Sequence, residues 1–524
     1  MSRSSEARRW LVAFMLFSVF GQTWALATPV FGVPDEPAHS IYAAAAARGQ
    51  VWAPSEGVET VVTVPAEFAD VPLVPCFASH STLPAGCAPA FEGRPGEAQV
   101  VTTVGHYPPA YYAYAGLGSL VADGAVAVYL MRGLTVLLVA GLLASAACSA
   151  LRADRPRVAL AGLGLATTPM VFFFSGSVNP QAPEIAAAVC LWTSGFVLLS
   201  RLREEPGASL RWSEPLLRRS LLAAVVLTVA RPLSLLWLVA ILAALLVLRG
   251  SREAVRRLLR SPAVVATVPV VCATAGSTLA WIVLRDALRL LPSEGFADLP
   301  VLPAAVTSLQ TVTTGLSQMV GFFGWLDTPQ PDVVTAVFVW GLATLAAPAL
   351  AGAPRRDLLV LGALAAAAVL VPATLQLLTY REYGFSWQGR YTLPLAVGIP
   401  LLLGLLPATA ATGRAGSHRR VLAVVVAAFV TLQTASLLWA LNRNVHGIGG
   451  LWGRSAAGWG PPVPTELLVA GLLGASLVCA VLTLRSGRRA GAAPGTGVVA
   501  DGRVETSPLP VAAGGRSPLQ EAAV

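Results

Sequence analysis

Two adjacent carboxylates, Asp35 and Glu36, stand between Pro34 and Pro37 in the stretch Phe31-Gly-Val-Pro-Asp-Glu-Pro-Ala-His39. Acids in such a position can take a proton from an attacking hydroxyl or hold a metal ion. Pro34 biases Val33 to an extended conformation, and Pro37 suits the first turn of a helix, so the pair sits on a short rigid elbow. A plainer reading gives Asp35 only the task of capping the helix that starts at Pro37. If the elbow is catalytic, Asp35 is the principal carboxylate and Glu36 a supporting one, because Asp35 has the shorter side chain beside the helix start.

Two arginines could complement these acids. Arg231, in Thr228-Val-Ala-Arg-Pro-Leu, falls within an apolar stretch, where an arginine is costly unless it faces a polar pocket, pairs with an anion or snorkels to the surface. Arg390, in Gln388-Gly-Arg-Tyr391, stands at the mouth of an apolar run. Its planar fork suits a phosphate, while the ordinary alternative is an interfacial anchor. His39 follows Asp35 by four residues, and His106 opens the run His106-Tyr-Pro-Pro-Ala-Tyr-Tyr-Ala-Tyr114. Either histidine could orient a carboxylate or join a metal site, though neither alone argues for a metal. The aromatic run, with Tyr107 in it, reads as a helix lying in the membrane interface or as a rim for a lipid-linked or sugar substrate. Tyr391 borders Arg390 at the same mouth. Asn179 and Glu184, in Ser175-Gly-Ser-Val-Asn-Pro-Gln-Ala-Pro-Glu184, face a cavity or simply form a capped turn. Cys76 and Cys87 share one loop and read as a disulfide outside the cytoplasm, with a zinc pair including His80 as the alternative. The bridge would stiffen a loop lacking a core.

The elements that must hold these groups are membrane helices. Of 524 residues, 55% are hydrophobic and only 12% charged, a composition that excludes a soluble domain. The net charge of +9 is carried by arginine in short patches between apolar runs, which is membrane topology and not a nucleic-acid surface. Apolar runs of about 20 residues, the length that crosses a bilayer core, cover 10–31, 125–151, 158–178, 183–202, 263–284, 333–353, 358–378, 391–411, 421–441 and 465–484. The first has no clear cleavage site and reads as a retained anchor. The run 220–248 is broken at Arg231-Pro232 and basic at both ends, which predicts a hairpin of short or tilted helices. The expected fold is therefore an all-α polytopic membrane protein of about 10–12 transmembrane helices.

The arginine patches put both termini in the cytoplasm. Residues 1–9 form the cytoplasmic N-terminus and 10–485 the multispanning domain. Residues 32–107 form the first extracytoplasmic loop, with the acidic motif and the disulfide, and 486–524 a disordered cytoplasmic tail. The segments 285–332, 379–390 and 442–464 share the outer face with that loop.

Five motifs in order then resemble a known family. Pro34-Asp35-Glu36-Pro37-Ala38-His39 after the first span, His106-Tyr-Pro-Pro-Ala-Tyr-Tyr, Ser177-Val-Asn-Pro, Gly324-Trp-Leu-Asp-Thr-Pro and Gln388-Gly-Arg-Tyr look like the bacterial predicted-membrane-protein family called domain of unknown function 2142, over about residues 10–484. That family is similar to the GT-C glycosyltransferases, which move a sugar from a polyprenyl phosphate to an acceptor outside the cytoplasm, with an acidic motif in the first outer loop. Asn179-Pro-Gln181 has an amide where many relatives are expected to carry an acid, so no catalytic role transfers there.

The resemblance implies a GT-C-like bundle in the bacterial plasma membrane and an inverting transfer of sugar from a polyprenyl-phosphate donor to a cell-envelope glycan or lipid acceptor. Asp35 and Glu36 would activate the acceptor hydroxyl, directly or through a divalent cation (Mg or Mn). His39, His106, Tyr107, Arg231, Arg390 and Tyr391 would bind substrate, with the arginines on the departing phosphate. No P-loop or dinucleotide fingerprint is present, and such a displacement needs none. The rival classes are a polytopic transporter or lipid-linked-sugar flippase, and a non-catalytic envelope-assembly protein. Against transport, no internal repeat is evident and the candidate groups gather on the outer face rather than at midplane.

Overall fold

Pro232 decides one of the main turns of the chain: it has no amide to donate and disfavours helix at the residue before it. Arg231 is accordingly extended (φ −151°, ψ 159°) at the end of a helix, and a second helix starts at Ser234. The structure is a computed structural model and describes residues 3–205, 210, 213–293, 295–406, 415–450 and 458–486. The tail expected at 486–524 lies, beyond Ser486, outside the described residues.

The chain runs α1 (Arg3–Ala27), α2 (Glu36–Ala47), β1 (Ser55–Glu56), β2 (Glu59–Pro65), β3 (Glu97–Thr102), α3 (Ala110–Ala115), α4 (Gly124–Ala150), α5 (Pro156–Ala166), α6 (Pro169–Ser175) and α7 (Gln181–Glu204). It continues with α8 (Pro215–Ala230), α9 (Ser234–Arg249), α10 (Arg252–Arg260), α11 (Pro262–Arg285), α12 (Val301–Gln318), β4 (Phe322–Phe323), β5 (Thr328–Pro329) and α13 (Asp332–Gly352). It closes with α14 (Arg355–Tyr383), α15 (Gly389–Ala396), α16 (Gly398–Leu405), α17 (Ala415–His446) and α18 (Thr465–Arg485). Eight of these helices, α1, α4, α7, α11, α13, α14, α17 and α18, are long and apolar enough to cross a membrane, and the bent pair α5–α6 makes a ninth span. The helix α9 and the segment α15–α16 are apolar but shorter. The protein is a mostly helical polytopic membrane protein with a short-helix hairpin, α8–α9, and two small antiparallel sheets.

Side-chain pairs mark the two ends. At one, Glu6 of α1 meets Arg152 after α4 (2.6 Å) and Arg219 of α8 (2.7 Å), while Glu214 meets Arg152 (3.0 Å) and Arg201 of α7 (3.1 Å). The start of α8 therefore lies on the side on which α1 starts, and Arg257, just after α9, donates to the Leu202 carbonyl at the end of α7 (3.2 Å), so both ends of the hairpin return to that side. Arg157 donates to the carbonyl of Ser486, so α18 finishes there too. Asp35 is at the opposite end.

The α5–α6 bend is 64°. Breaking a helix inside hydrocarbon frees backbone groups that must find partners. Gln433 Nε2 donates to the Thr167 carbonyl (2.8 Å), and Thr168 Oγ1 donates to the Met319 carbonyl (2.8 Å). These bonds tie the break to α17 and to the end of α12.

Two expectations need correction, and a third gains detail. The first span ends at Ala27, not residue 31, because Thr28 to Pro34 form the turn that delivers the elbow. The segment 285–332, expected only as part of the outer face, holds α12 and the β4–β5 hairpin. The first loop does have a core. Its antiparallel sheet β1-β2-β3 packs Val62, Val64 and Val100 with Phe68, Phe91 and the alanine face of α2. Cys76 and Cys87 are bonded within this unit, with Cα atoms 6.1 Å apart.

Candidate functional site

Asp35 precedes α2 with a left-handed backbone (φ 65°) and makes no side-chain cap hydrogen bond. Its carboxylate Oδ2 instead accepts from Arg390 Nη2. Arg390 enters at the start of α15, where Gly389 packs so closely on Gly315 of α12 that a side chain there would collide with backbone. The Arg390 side chain is 1% exposed and the Asp35 side chain 47%, so an inner guanidinium faces an outer, reachable carboxylate.

Arg231 arrives from the hairpin apex. It and Arg390 both lie against the ring of Tyr391, at 5.1 and 5.2 Å from its centroid, and Arg231 also stands 5.8 Å from Tyr107. Phe174 of α6 lines the other side of Arg390 (5.3 Å). Glu184, fully buried in the first turn of α7, is 3.6 Å from Arg231 Nη1 and accepts from Ser234 Oγ (2.8 Å). At 3.6 Å the contact is an ion pair without a hydrogen bond. Nε and Nη1 of both Arg231 and Arg390 are buried without any hydrogen-bond partner. Unmet charged donors in a buried site are costly, and an anion with several oxygens would satisfy them.

His39 sits one turn after Asp35, with Nδ1 2.8 Å from the Tyr112 hydroxyl. Burial pushes its pKa down to about 3; Arg231 and Arg390 act the same way and Asp35 opposes them, so the ring is neutral at neutral pH. Burial acts upward on the Asp35 carboxyl, but the charges of Arg390 and Arg231 outweigh it and hold the group below the usual carboxylate range. Burial likewise raises the Tyr107 phenol, which stays protonated as a donor.

Two of the expected residues have other settings. Glu36 is 0% exposed and points away from Asp35, toward Arg132 of α4: Arg132 Nε donates to Oε1 (2.7 Å) and Nη2 to Oε2 (2.6 Å). The same guanidinium donates to the carbonyls of Ala25, Thr28 and Pro29 (2.8, 2.8 and 2.7 Å), and the Val178 amide donates to Glu36 Oε1 (3.0 Å). This is a saturated knot that fastens the end of α1 and the elbow to α4 and to the turn between α6 and α7. His106 meets the edge of Tyr107 (4.9 Å), and its carbonyl accepts from Trp281 Nε1 (2.9 Å), which turns it toward the end of α11. Burial lowers its pKa to about 4.

The structure thus gathers Asp35, His39, Tyr107, Arg231, Arg390 and Tyr391, and adds Glu184, which the sequence had left open between cavity and turn. Arg132 was missed, although an arginine inside an otherwise apolar span is itself a signal. Among the described residues no three His, Cys, Asp or Glu side chains gather as a metal site. Two guanidinium groups beside one carboxylate make a donor set that fits an anion and not a divalent cation.

A second ion pair walls the site. Arg443 of α17 donates to Asp327 Oδ2 (2.7 Å), Thr328 Oγ1 (3.2 Å) and the Phe77 carbonyl (2.9 Å) in the disulfide loop. Trp325 Nε1 donates to the Phe31 carbonyl (3.0 Å), so the β4–β5 hairpin braces the elbow.

The crystal structure of ArnT from Cupriavidus metallidurans bound to undecaprenyl phosphate is similar at 14% sequence identity and a TM-score of 0.39, covering 91% of this chain and 76% of that one. No curated protein matches. Residues 17–399 match the model of the predicted membrane protein family DUF2142, and the chain belongs to that family.

Proposed function

We propose that this protein transfers a sugar from a polyprenyl-phosphate donor to a cell-envelope acceptor at the Asp35 end of the bundle, taken as the extracytoplasmic face of the bacterial plasma membrane. The observation that carries the reading is the pair of buried guanidinium groups around Tyr391 whose Nε and Nη1 atoms have no partner, with one reachable carboxylate beside them. The donor phosphate bridges Arg231 and Arg390, and Tyr107 and Tyr391 line its path.

In the reaction the acceptor hydroxyl attacks the anomeric carbon and the new C–O bond forms as the bond to the phosphate oxygen breaks. The electron pair leaves on the phosphate, where the two arginines stabilise it. The hydroxyl proton passes to the Asp35 carboxylate. Arg390 serves both partners in turn: it holds Asp35 ionised while the site is empty and moves to the phosphate when the donor binds. Losing that neighbour makes Asp35 a stronger base at the moment it is needed. Glu36 keeps the elbow in place through Arg132, and Glu184 aims Arg231; both are positioning residues.

The test is binding of undecaprenyl phosphate to the purified full-length protein. Arg231→Gln and Arg390→Gln should each weaken it by about tenfold or more, the scale of a lost charge-assisted pair. Unchanged affinity in both variants would remove the phosphate site.

A further inference from the structure

The end of the bundle opposite Asp35 carries a dense group of arginines beyond those used in the core network. α10 links α9 to α11 and has two unlike sides. On one, Ala254 is fully buried, and Arg257 donates to the carbonyls of Leu202 and Glu205 (both 3.2 Å), which seats the helix on the end of α7. On the other, Arg252, Arg256 and Arg260 are exposed at intervals of four residues, so they share a face. Leu259 stands 64% exposed among them. Glu253, the one carboxylate of this helix, lies 3.6 Å from Arg256 with both side chains more than half exposed, a pair too wet to neutralise the row.

A second row adjoins this one. Arg249, the last residue of α9, is bonded through both Nη atoms to Asp357 of α14 (3.1 Å each), which brings the start of α14 to the end of α9. Arg355 and Arg356, both exposed, are therefore held at the same end, next to where α10 begins. Five exposed arginines with an exposed leucine, on helices that start and end at the boundary of the spans, match a layer that is anionic outside and apolar beneath.

We propose that α10 and the first turn of α14 form a dock for the headgroups of anionic phospholipids, with Leu259 entering the acyl boundary. The lipid phosphates lie along Arg252, Arg256 and Arg260, and Arg355 and Arg356 extend the row. The inference concerns the opposite end from the proposed sugar-transfer site and does not depend on it.

The experiment uses full-length protein in nanodiscs of phosphatidylcholine with and without phosphatidylglycerol, read by thermal unfolding and by the lipids retained in native mass spectrometry. The wild type should retain phosphatidylglycerol over phosphatidylcholine by at least about tenfold, since each arginine near a charged surface contributes on the order of one factor of five. Arg252→Gln/Arg256→Gln/Arg260→Gln should lose most of that preference. Arg355→Gln/Arg356→Gln, which leaves α10 intact, should lose part of it, and so decides the matter if the triple variant does not fold. Equal retention of the two lipids by the wild type, an unchanged preference in folded variants, or full reproduction of the stabilisation by inorganic phosphate would each overturn the proposal.

Discussion

Asp35 and Glu36 are neighbours in the chain, and each meets an arginine from a distant helix, yet the two pairs are built for opposite ends. Arg132 and Glu36 are both 0% exposed, joined by two hydrogen bonds, and the remaining donors of the guanidinium are spent on three backbone carbonyls. Nothing is left for a ligand. Arg390 meets Asp35 through one nitrogen, keeps Nε and Nη1 unmet, and faces a carboxylate that is 47% exposed. A saturated pair resists change, because removing either partner leaves a buried charge alone. An unsaturated one invites a third partner. One acid fixes the elbow, and the other is left reachable beside unmet donors.

The two pairs should differ most under substitution at Glu36. Glu36→Ala should strand Arg132 and cost about 3–5 kcal/mol, seen as a collapse in the yield of monodisperse protein. Asp35→Asn should cost far less, since asparagine keeps a bond to Arg390 and tolerates the left-handed backbone at φ 65°. Equal damage from the two would erase the distinction.

The outer wall should show an intermediate effect. The Cys76–Cys87 bridge closes a sequence separation of 11 residues, and a loop of that size contributes roughly 2–3 kcal/mol by restricting the unfolded chain. Cys76→Ser/Cys87→Ser should melt earlier in thermal unfolding and retain some sugar transfer. Because Arg443 fastens this loop to the hairpin that braces Phe31, the loss should be matched by Arg443→Gln.

A smaller effect follows from the histidines. His39 and His106 are held at pKa values of about 3 and 4, below the ordinary value of 6.5 that they regain on unfolding. Between those limits the unfolded chain binds more protons, so stability is full above about pH 6.5 and falls as the pH drops toward 4. The melting temperature should decline over that window. His39→Gln/His106→Gln should flatten the decline, and an unaltered slope in the double variant would contradict the assignment.

Much of this arrangement is legible in the chain. Prolines around two acids after an apolar run announce the elbow, Arg231-Pro232 announces the hairpin, and two cysteines in one loop announce the bridge. What cannot be read is the division of labour. Glu36 finds Arg132 across 96 residues, and Glu184 finds Arg231 across the α7–α8 turn; such partnerships depend on how helices pack, which local periodicity does not encode. The β4–β5 hairpin escaped notice for a related reason: it is two residues wide on each side and held by Trp325 and Arg443, not by any strand pattern of its own.

In the proposed reaction Asp35 takes the proton from the acceptor while Glu36 does not. The direct measurement is sugar transfer from a polyprenyl-phosphate donor by folded, monodisperse Asp35→Asn protein. Asparagine preserves the size of the side chain and can still bond to Arg390, but it removes the base. Transfer should fall by about 10²-fold or more, with undecaprenyl-phosphate binding retained; turnover near that of the wild type would rule out Asp35 as the base.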